Sequence, residues 1–84
     1  MAEGYRLRDD QIDNWFTYHQ PMQDQVHRYN RIREEARKLA FVIRDSCPPG
    51  ADTTAAIRKL REAVMTANAA IACGEAAQKE GEKP

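Results

Sequence analysis

Cys47-Pro48-Pro49-Gly50 interrupts the sequence between two long amphipathic stretches. Two consecutive prolines cannot continue a helix, because proline lacks a backbone N–H group and its ring clashes with the preceding turn. From about Gln23 up to this break, apolar residues recur at steps of three and four, which is typical of one face of an α-helix. They are Val26, Tyr29, Ile32, Ala36, Leu39, Ala40 and Ile43. So short a connection makes consecutive helices antiparallel neighbours, and the sequence therefore predicts an all-α antiparallel helical hairpin.

The second stretch begins near Asp52 or Thr53, and either residue is a good N-cap. Its apolar positions alternate at steps of three and four, the spacing of a coiled-coil seam. They are Ile57, Leu60, Val64, Ala67 and Ile71. Gly74 stands where a glycine commonly follows the last turn, so the second helix is predicted to end there.

The chain is predicted to form one domain with two flanking segments. Residues 1–14 are polar and are expected to form at most a short helix, residues 15–74 form the hairpin domain, and residues 75–84 form a flexible charged tail. The domain begins with the aromatic patch Trp15-Phe16-Thr17-Tyr18-His19, which is followed by Gln20-Pro21. Because proline biases the residue before it toward extended geometry, this patch is predicted to be a non-helical arm.

The composition excludes several classes of function. Thirteen Lys and Arg balance thirteen Asp and Glu, which argues against a protein that coats DNA or RNA polymers or binds a membrane surface. No apolar run approaches the roughly 20 residues that span a bilayer, and the N-terminus lacks the layout of a signal peptide, so a cytoplasmic location is expected. His19 and His27 have no carboxylate at metal-ligand spacing, and neither a metal site, a cofactor nor an enzyme activity is predicted.

The segment Leu39-Ala40-Phe41-Val42-Ile43 predicts that the chain self-associates. At 100° per residue, Phe41 and Val42 fall on two different sides outside the apolar face of the first helix. A helix that is hydrophobic all round is buried all round, and one partner helix cannot achieve this. Each large side chain left exposed forgoes roughly 1.5–3 kcal/mol of burial. The alternative is that the N-terminal arm folds back over Phe41, which would cover one side only.

Two arginines of the first helix are candidate anion ligands. Arg33 lies at the edge of the apolar face, and neither Arg33 nor Arg37 has an acidic residue four positions further along. Such a residue would occupy the guanidinium in an ion pair. The planar fork of arginine suits phosphate, so both residues are expected to be available for an anion.

Two other features allow both a structural and a functional interpretation. Asn68 falls at the edge of the apolar stripe of the second helix, where a buried amide needs partners. A role in fixing helix register across a subunit seam is favoured over hydrogen bonding to a ligand. The aromatic patch can cap a core, and Trp15 or Phe16 is expected to do so. Tyr18 and His19, by contrast, precede a basic helix, where an aromatic ring can stack on a base beside phosphate anchors.

Four pieces of the sequence, in this order, resemble the hairpin domain of phage anti-defence proteins. This domain is shared by the cyclic-nucleotide sponges that act against CBASS and the sponges that act against Thoeris. The resemblance covers residues 15–74. Its pieces are residues 15–21 (WFTYHQP), 28–33 (RYNRIR), 47–49 (CPP) and 62–72 (EAVMTANAAIA).

The resemblance implies a compact homo-oligomer, a hexamer of hairpins, in the cytoplasm of the infected bacterial host. It implies binding of cyclic dinucleotides and trinucleotides, which are sequestered from CBASS effectors without cleavage. In the dinucleotide pocket between two protomers, the resemblance assigns base stacking to Tyr18 and a phosphate contact to Arg33. Further residues are expected to line this pocket by their position on the helical wheel; they are Phe16, His19, Asn30, Arg37 and Asn68.

Two alternatives to this function remain open. The first is a sponge for cyclic ADP-ribose isomers, which is disfavoured because the chain lacks the added β-sheet region of longer Thoeris sponges. The second is a helical module whose basic face binds a protein or a nucleic acid. A neutral chain with Arg33 at the edge of an apolar face favours a ligand pocket over a nucleic-acid surface, which would display its charge outward.

Overall fold

The computed structural model describes residues 6–82, and the side chains of residues 6–79. Within this part of the chain every regular element is helical, which confirms the all-α prediction. The elements are α1 (Asp9–Trp15), α2 (Gln23–Ser46), α3 (Ala51–Ala69), a π-helical turn (Ala70–Gly74) and α4 (Glu75–Glu82). None of these helices is long and apolar enough to cross a membrane.

Helices α2 and α3 form the predicted hairpin. α2 runs without interruption from Gln23 to Ser46, and its C-cap Cys47 directly precedes the two prolines. Its N-terminus is capped by Gln25, whose side-chain oxygen accepts a hydrogen bond from the backbone N–H of Met22 at 2.9 Å. The same side chain donates to Glu75, beyond the end of α3, at 2.9 Å. The start of α2 therefore lies beside the end of α3, as an antiparallel pair requires.

The start of α3 differs slightly from the prediction. Its first residue is Ala51 and its N-cap is Gly50, so Asp52 and Thr53 lie inside the first turn and neither caps the helix. The Thr53 hydroxyl instead donates to the carbonyl oxygen of Pro48 at 2.6 Å and ties the connection to the helix. Asp52 places a negative charge in the first turn, where it complements the helix dipole.

The predicted end of the second helix at Gly74 is wrong. The chain passes through the π-helical turn and continues as α4, and within the described residues no glycine adopts the left-handed conformation of a helix C-cap. The reason is tertiary: Glu75 is bound by Arg28 and Gln25 of α2, and these bonds draw the chain onward beside the hairpin. The mobility of residues 75–84 stays a prediction, and residues 83–84 lie outside the described part of the chain.

The N-terminal segment packs at the open end of the hairpin. α1 takes in Trp15, so the non-helical arm predicted from Trp15 begins one residue later and extends to the start of α2. The Asn14 side-chain nitrogen donates to the carbonyl oxygen of Cys73, in the π-helical turn, at 2.9 Å. The arm therefore does not cover Phe41, which lies near the opposite end of α2. Residues 1–5 of the predicted polar segment lie outside the described range.

The described residues of a single chain form no buried hydrophobic core. No residue between positions 6 and 79 is fully buried, and Val42 keeps 56% of its surface exposed. The radius of gyration is 16.8 Å, against about 12 Å for a compact domain of this length. The shortest dimension is 17 Å, and a helix with its side chains is about 10–12 Å across. The hairpin is thus a thin slab with apolar surface on the outside.

Candidate functional site

A groove of about 400 Å³ follows the seam between α2 and α3 and is called the central groove. The apolar stripes of the two helices supply most of its lining, and three arginines and one asparagine supply the polar groups. Its lining residues are Arg33, Ala36, Arg37, Ala40, Ile57, Leu60, Arg61, Val64, Met65 and Asn68. No carboxylate is among them, so the groove is cationic.

The three arginines of the central groove differ in their partners. Arg33 donates to the side-chain oxygen of Asn30 at 3.0 Å, and Arg61 has no hydrogen-bond partner among the described side chains. Arg37 is less available than predicted, because it forms an ion pair with Glu34, three positions earlier, at 3.3 Å. Two guanidinium groups on opposite helices, those of Arg33 and Arg61, therefore remain without a carboxylate in the described structure.

The sequence contained a signal for Arg61 that was missed. Arg61 follows Ile57 by four residues and precedes Val64 by three, so it lies in the same row of the α3 surface as these apolar residues. This is the argument that identified Arg33 on the first helix. The same row continues to Asn68, at the far end of the groove.

Asn68 carries a polar atom that lacks a partner. Its side-chain oxygen is inaccessible to solvent and accepts no hydrogen bond from the described residues. An unsatisfied buried acceptor costs roughly 1–3 kcal/mol. Asn68 is therefore suited to accept a hydrogen bond from a group outside the single chain, which is either an N–H of a ligand or a donor of a second protomer.

A second groove, of about 460 Å³, lies at the open end of the hairpin and is called the end groove. It is formed by the arm, the first turn of α2, the π-helical turn and α4. Its lining residues are Tyr18, His19, Gln20, Met22, Asp24, Gln25, Ala72, Glu75, Ala76 and Lys79. Tyr18 keeps 81% of its surface exposed, so the face of an aromatic ring is open for stacking.

Two hydrogen bonds, one donated and one accepted by Asn14, hold the arm in place beside the end groove. Asn14 donates from its side chain to Cys73 at 2.9 Å, and its own carbonyl oxygen accepts from Nε2 of His19 at 2.8 Å. Because a carbonyl oxygen can only accept, Nε2 carries the hydrogen atom and Nδ1 of the neutral ring remains an acceptor. The position of Tyr18, next to His19, is thus tied to the π-helical turn.

An ion pair closes the other side of the end groove. Arg28 donates to both carboxylate oxygens of Glu75, at 2.6 and 3.0 Å, and Gln25 donates a third hydrogen bond at 2.9 Å. The bonds from Arg28 and then Gln25 lower the pKa of Glu75 to about 2. Arg28 also contacts Asp24 at 2.9 Å. Its own pKa is raised, first by Glu75, so both partners stay ionised at neutral pH.

The predicted site residues fall into two groups. Tyr18 and His19 line the end groove, while Arg33, Arg37 and Asn68 line the central groove. Asn30 lines neither groove but positions Arg33. Phe16 is 85% exposed and lines neither groove of the single chain. Nowhere in residues 6–79 do three His, Cys, Asp or Glu side chains gather as a metal site would require.

Comparison with known proteins identifies the hairpin. The family model for the Acb2/Tad1 hairpin domain matches residues 8–72, which include α1, α2, α3 and most residues of both grooves. Neither the curated proteins nor the solved structures give a significant match. Proteins of this family are phage anti-CBASS and anti-Thoeris sponges. The match covers most of the chain, and the chain therefore belongs to the Acb2/Tad1 hairpin-domain family of phage anti-defence proteins.

Proposed function

We propose that this protein is an anti-defence sponge for cyclic oligonucleotide second messengers. It binds cyclic dinucleotides and cyclic trinucleotides and sequesters them from CBASS effectors without cleaving them. The observation that carries the proposal is the central groove, where Arg33 and Arg61 face an apolar lining without a carboxylate partner in the described residues. Membership of the Acb2/Tad1 family supports the same conclusion.

The chemistry of the central groove suits a cyclic nucleotide. Each phosphodiester carries a negative charge on oxygens that a guanidinium can bind through two parallel hydrogen bonds. The sugars and base faces present apolar surface to residues such as Leu60 and Val64. The exposed ring of Tyr18 supplies the stacking surface that a base requires, which is worth roughly 1–3 kcal/mol per base.

A site that uses both Tyr18 and Arg33 requires more than one chain. The two residues line different grooves, and Arg33 lies eleven positions past Met22, or roughly 16 Å along the helix. We therefore propose that Tyr18 of one protomer meets Arg33 of another. The absence of a core in residues 6–79 supports this assembly, since Phe41 and Val42 expose apolar surface that a second protomer would bury. A hexamer is the assembly that the family resemblance implies.

Native mass spectrometry tests this proposal. The protein is measured alone and with cyclic dinucleotides, cyclic trinucleotides and cyclic ADP-ribose isomers. We expect an oligomer that retains a subset of cyclic oligonucleotides in fixed ratio. Retention of cyclic ADP-ribose isomers alone would establish the anti-Thoeris alternative. A stable oligomer that retains none of them would reject the sponge function and leave a helical interaction module.

Two substitutions test the assigned residues. Tyr18→Ala and Arg33→Ala are expected to abolish ligand retention and to leave the oligomer intact, because each residue contacts the ligand and not the core. Tyr18→Phe keeps the ring and should retain binding, and Arg31→Ala removes an exposed arginine that lines neither groove. Dissociation of Tyr18→Ala or Arg33→Ala into monomers would show that the residue is structural.

A further inference from the structure

The two grooves differ in charge. Three arginines line the central groove and no carboxylate does, whereas in the end groove Asp24 and Glu75 are balanced by Arg28, which pairs with both, and by Lys79. Glu75 remains ionised, because Arg28 and Gln25 hold its pKa at about 2. A phosphodiester is therefore attracted more strongly to the central groove than to the end groove. If one ligand spans both grooves, its phosphates occupy the first and a base occupies the second.

Two acceptors of the end groove have no partner among the described residues. Both oxygens of Glu75 already accept hydrogen bonds, and the amide of Gln25 is used on both sides. Asp24 accepts one bond from Arg28 through Oδ2, and its Oδ1 has no partner in the described residues. Its side chain is 75% exposed, so this oxygen is open to a ligand. His19 Nδ1 adds a second acceptor in the neutral ring.

Of the common bases, guanine best matches this set of acceptors. Its Watson–Crick edge presents the N1–H and the 2-amino group side by side, two donors that a carboxylate can accept together. Adenine presents the N1 lone pair beside its amino group, so a carboxylate at that edge faces an acceptor. Bases that are stacked outside a duplex are commonly recognised through this edge.

We propose that the end groove selects guanine, with the base stacked on Tyr18 and its N–H donors bound by Asp24. This inference rests on the proposed binding of cyclic nucleotides and adds the identity of the preferred base. Asp24 is the specificity-determining residue, and Glu75 and Arg28 hold the surrounding polar network in place.

Isothermal titration calorimetry of the assembled protein tests the preference. The probes are cyclic di-GMP, cyclic di-AMP and cyclic di-IMP, which keeps N1–H but lacks the 2-amino group. We expect cyclic di-GMP to bind about 10- to 100-fold more tightly than cyclic di-AMP, as for one charged hydrogen-bonded contact. Cyclic di-IMP is expected to fall between them.

Asp24→Asn is expected to bring the affinities for cyclic di-GMP and cyclic di-AMP within about three-fold, because an amide serves either base equally well. The variant should assemble normally, since Glu75 still holds Arg28. Asp45→Asn is the matched control: this carboxylate also pairs with an arginine of α2, at 2.8 Å, but lies at the far end of the helix. It should leave the preference unchanged.

The outcomes separate this inference from the function on which it rests. Equal affinity for the two bases in the unmodified protein, or a preference that survives in Asp24→Asn, overturns the role of Asp24 and leaves the sponge function standing. Failure to bind any cyclic dinucleotide or cyclic trinucleotide of the mass spectrometry panel overturns both.

Discussion

The central groove and the end groove are built in different ways. The central groove consists of regularly spaced positions on two long helices, and its geometry follows directly from the hairpin. The end groove is assembled from four short segments, which a few polar contacts hold together, among them Asn14 to Cys73 and Arg28 to Glu75. In our proposal, phosphate is bound by the most regular part of the molecule, and the base is recognised by a part that depends on long-range hydrogen bonds.

After the loss of ligand retention expected of Tyr18→Ala and Arg33→Ala, the largest effect is expected from Arg61→Ala in the central groove. Loss of a hydrogen bond to a charged group costs roughly 1.5–3 kcal/mol, so affinity for a cyclic dinucleotide should fall about 10- to 100-fold in calorimetric titrations. Arg58→Ala is the control, because this arginine lies on the same helix and lines neither groove. Unchanged affinity in Arg61→Ala would remove the central groove as the phosphate site.

A smaller effect is expected from Asn68→Leu, which removes the unpartnered oxygen. The unliganded protein should be as stable as before or more stable by about 1 kcal/mol in denaturant unfolding, since replacing an unsatisfied polar group by an apolar one removes its cost. Ligand affinity should fall several-fold. Met65→Leu, a volume-conserving change in the same groove, is the control. A changed oligomeric state in Asn68→Leu would instead place the amide at a subunit seam.

The smallest effect is expected from Glu75→Gln at the end groove, and it depends on pH. The pKa of Glu75 is about 2 in the folded chain, below its ordinary value of 4.5. The unfolded chain therefore binds the proton first, so the stabilisation is complete above about pH 4.5 and is lost as the pH falls toward 2. Thermal midpoints across this range should fall less in Glu75→Gln than in the unmodified protein.

Glu62→Gln serves as the control for this pH dependence, because Glu62 is exposed and forms no ion pair among the described residues. It should retain the full loss of stability on acidification. Parallel curves for Glu75→Gln and the unmodified protein would show that the ion pair with Arg28 contributes nothing to the fold of the end groove.

The contrast between regular helix spacing in the central groove and long-range contacts in the end groove explains which features the sequence could predict. The three- and four-residue spacing of apolar positions and the double proline were sufficient for the hairpin, because both are local signals. The end at Gly74 was predicted from an equally local signal, but the bonds from α2 to Glu75 outweigh it. Contacts across more than 40 positions, such as those of Arg28 with Glu75, leave no local pattern in the chain.

For the candidate site too, local signals were predictable from the sequence and long-range contacts were not. Arg33 and Asn68 were found because they interrupt a helical stripe, and both line the central groove. Arg37 was predicted to be available because only the following turn was considered, whereas its partner Glu34 lies on the preceding turn. The separation of Tyr18 from Arg33 into two grooves could not be read from spacing, since it depends on where the arm docks.

The number of residues in the π-helical turn between α3 and α4 determines the direction in which Glu75 points. A π-helical turn holds more residues than an α-helical turn, and each residue of an α-helix advances the direction of the side chains by about 100°. Deletion of one residue within Ala70–Gly74 would therefore rotate Glu75 away from Arg28. Substitutions within the turn should therefore be tolerated more readily than an insertion or a deletion, because a change of length alters the orientation of the end groove relative to the central groove.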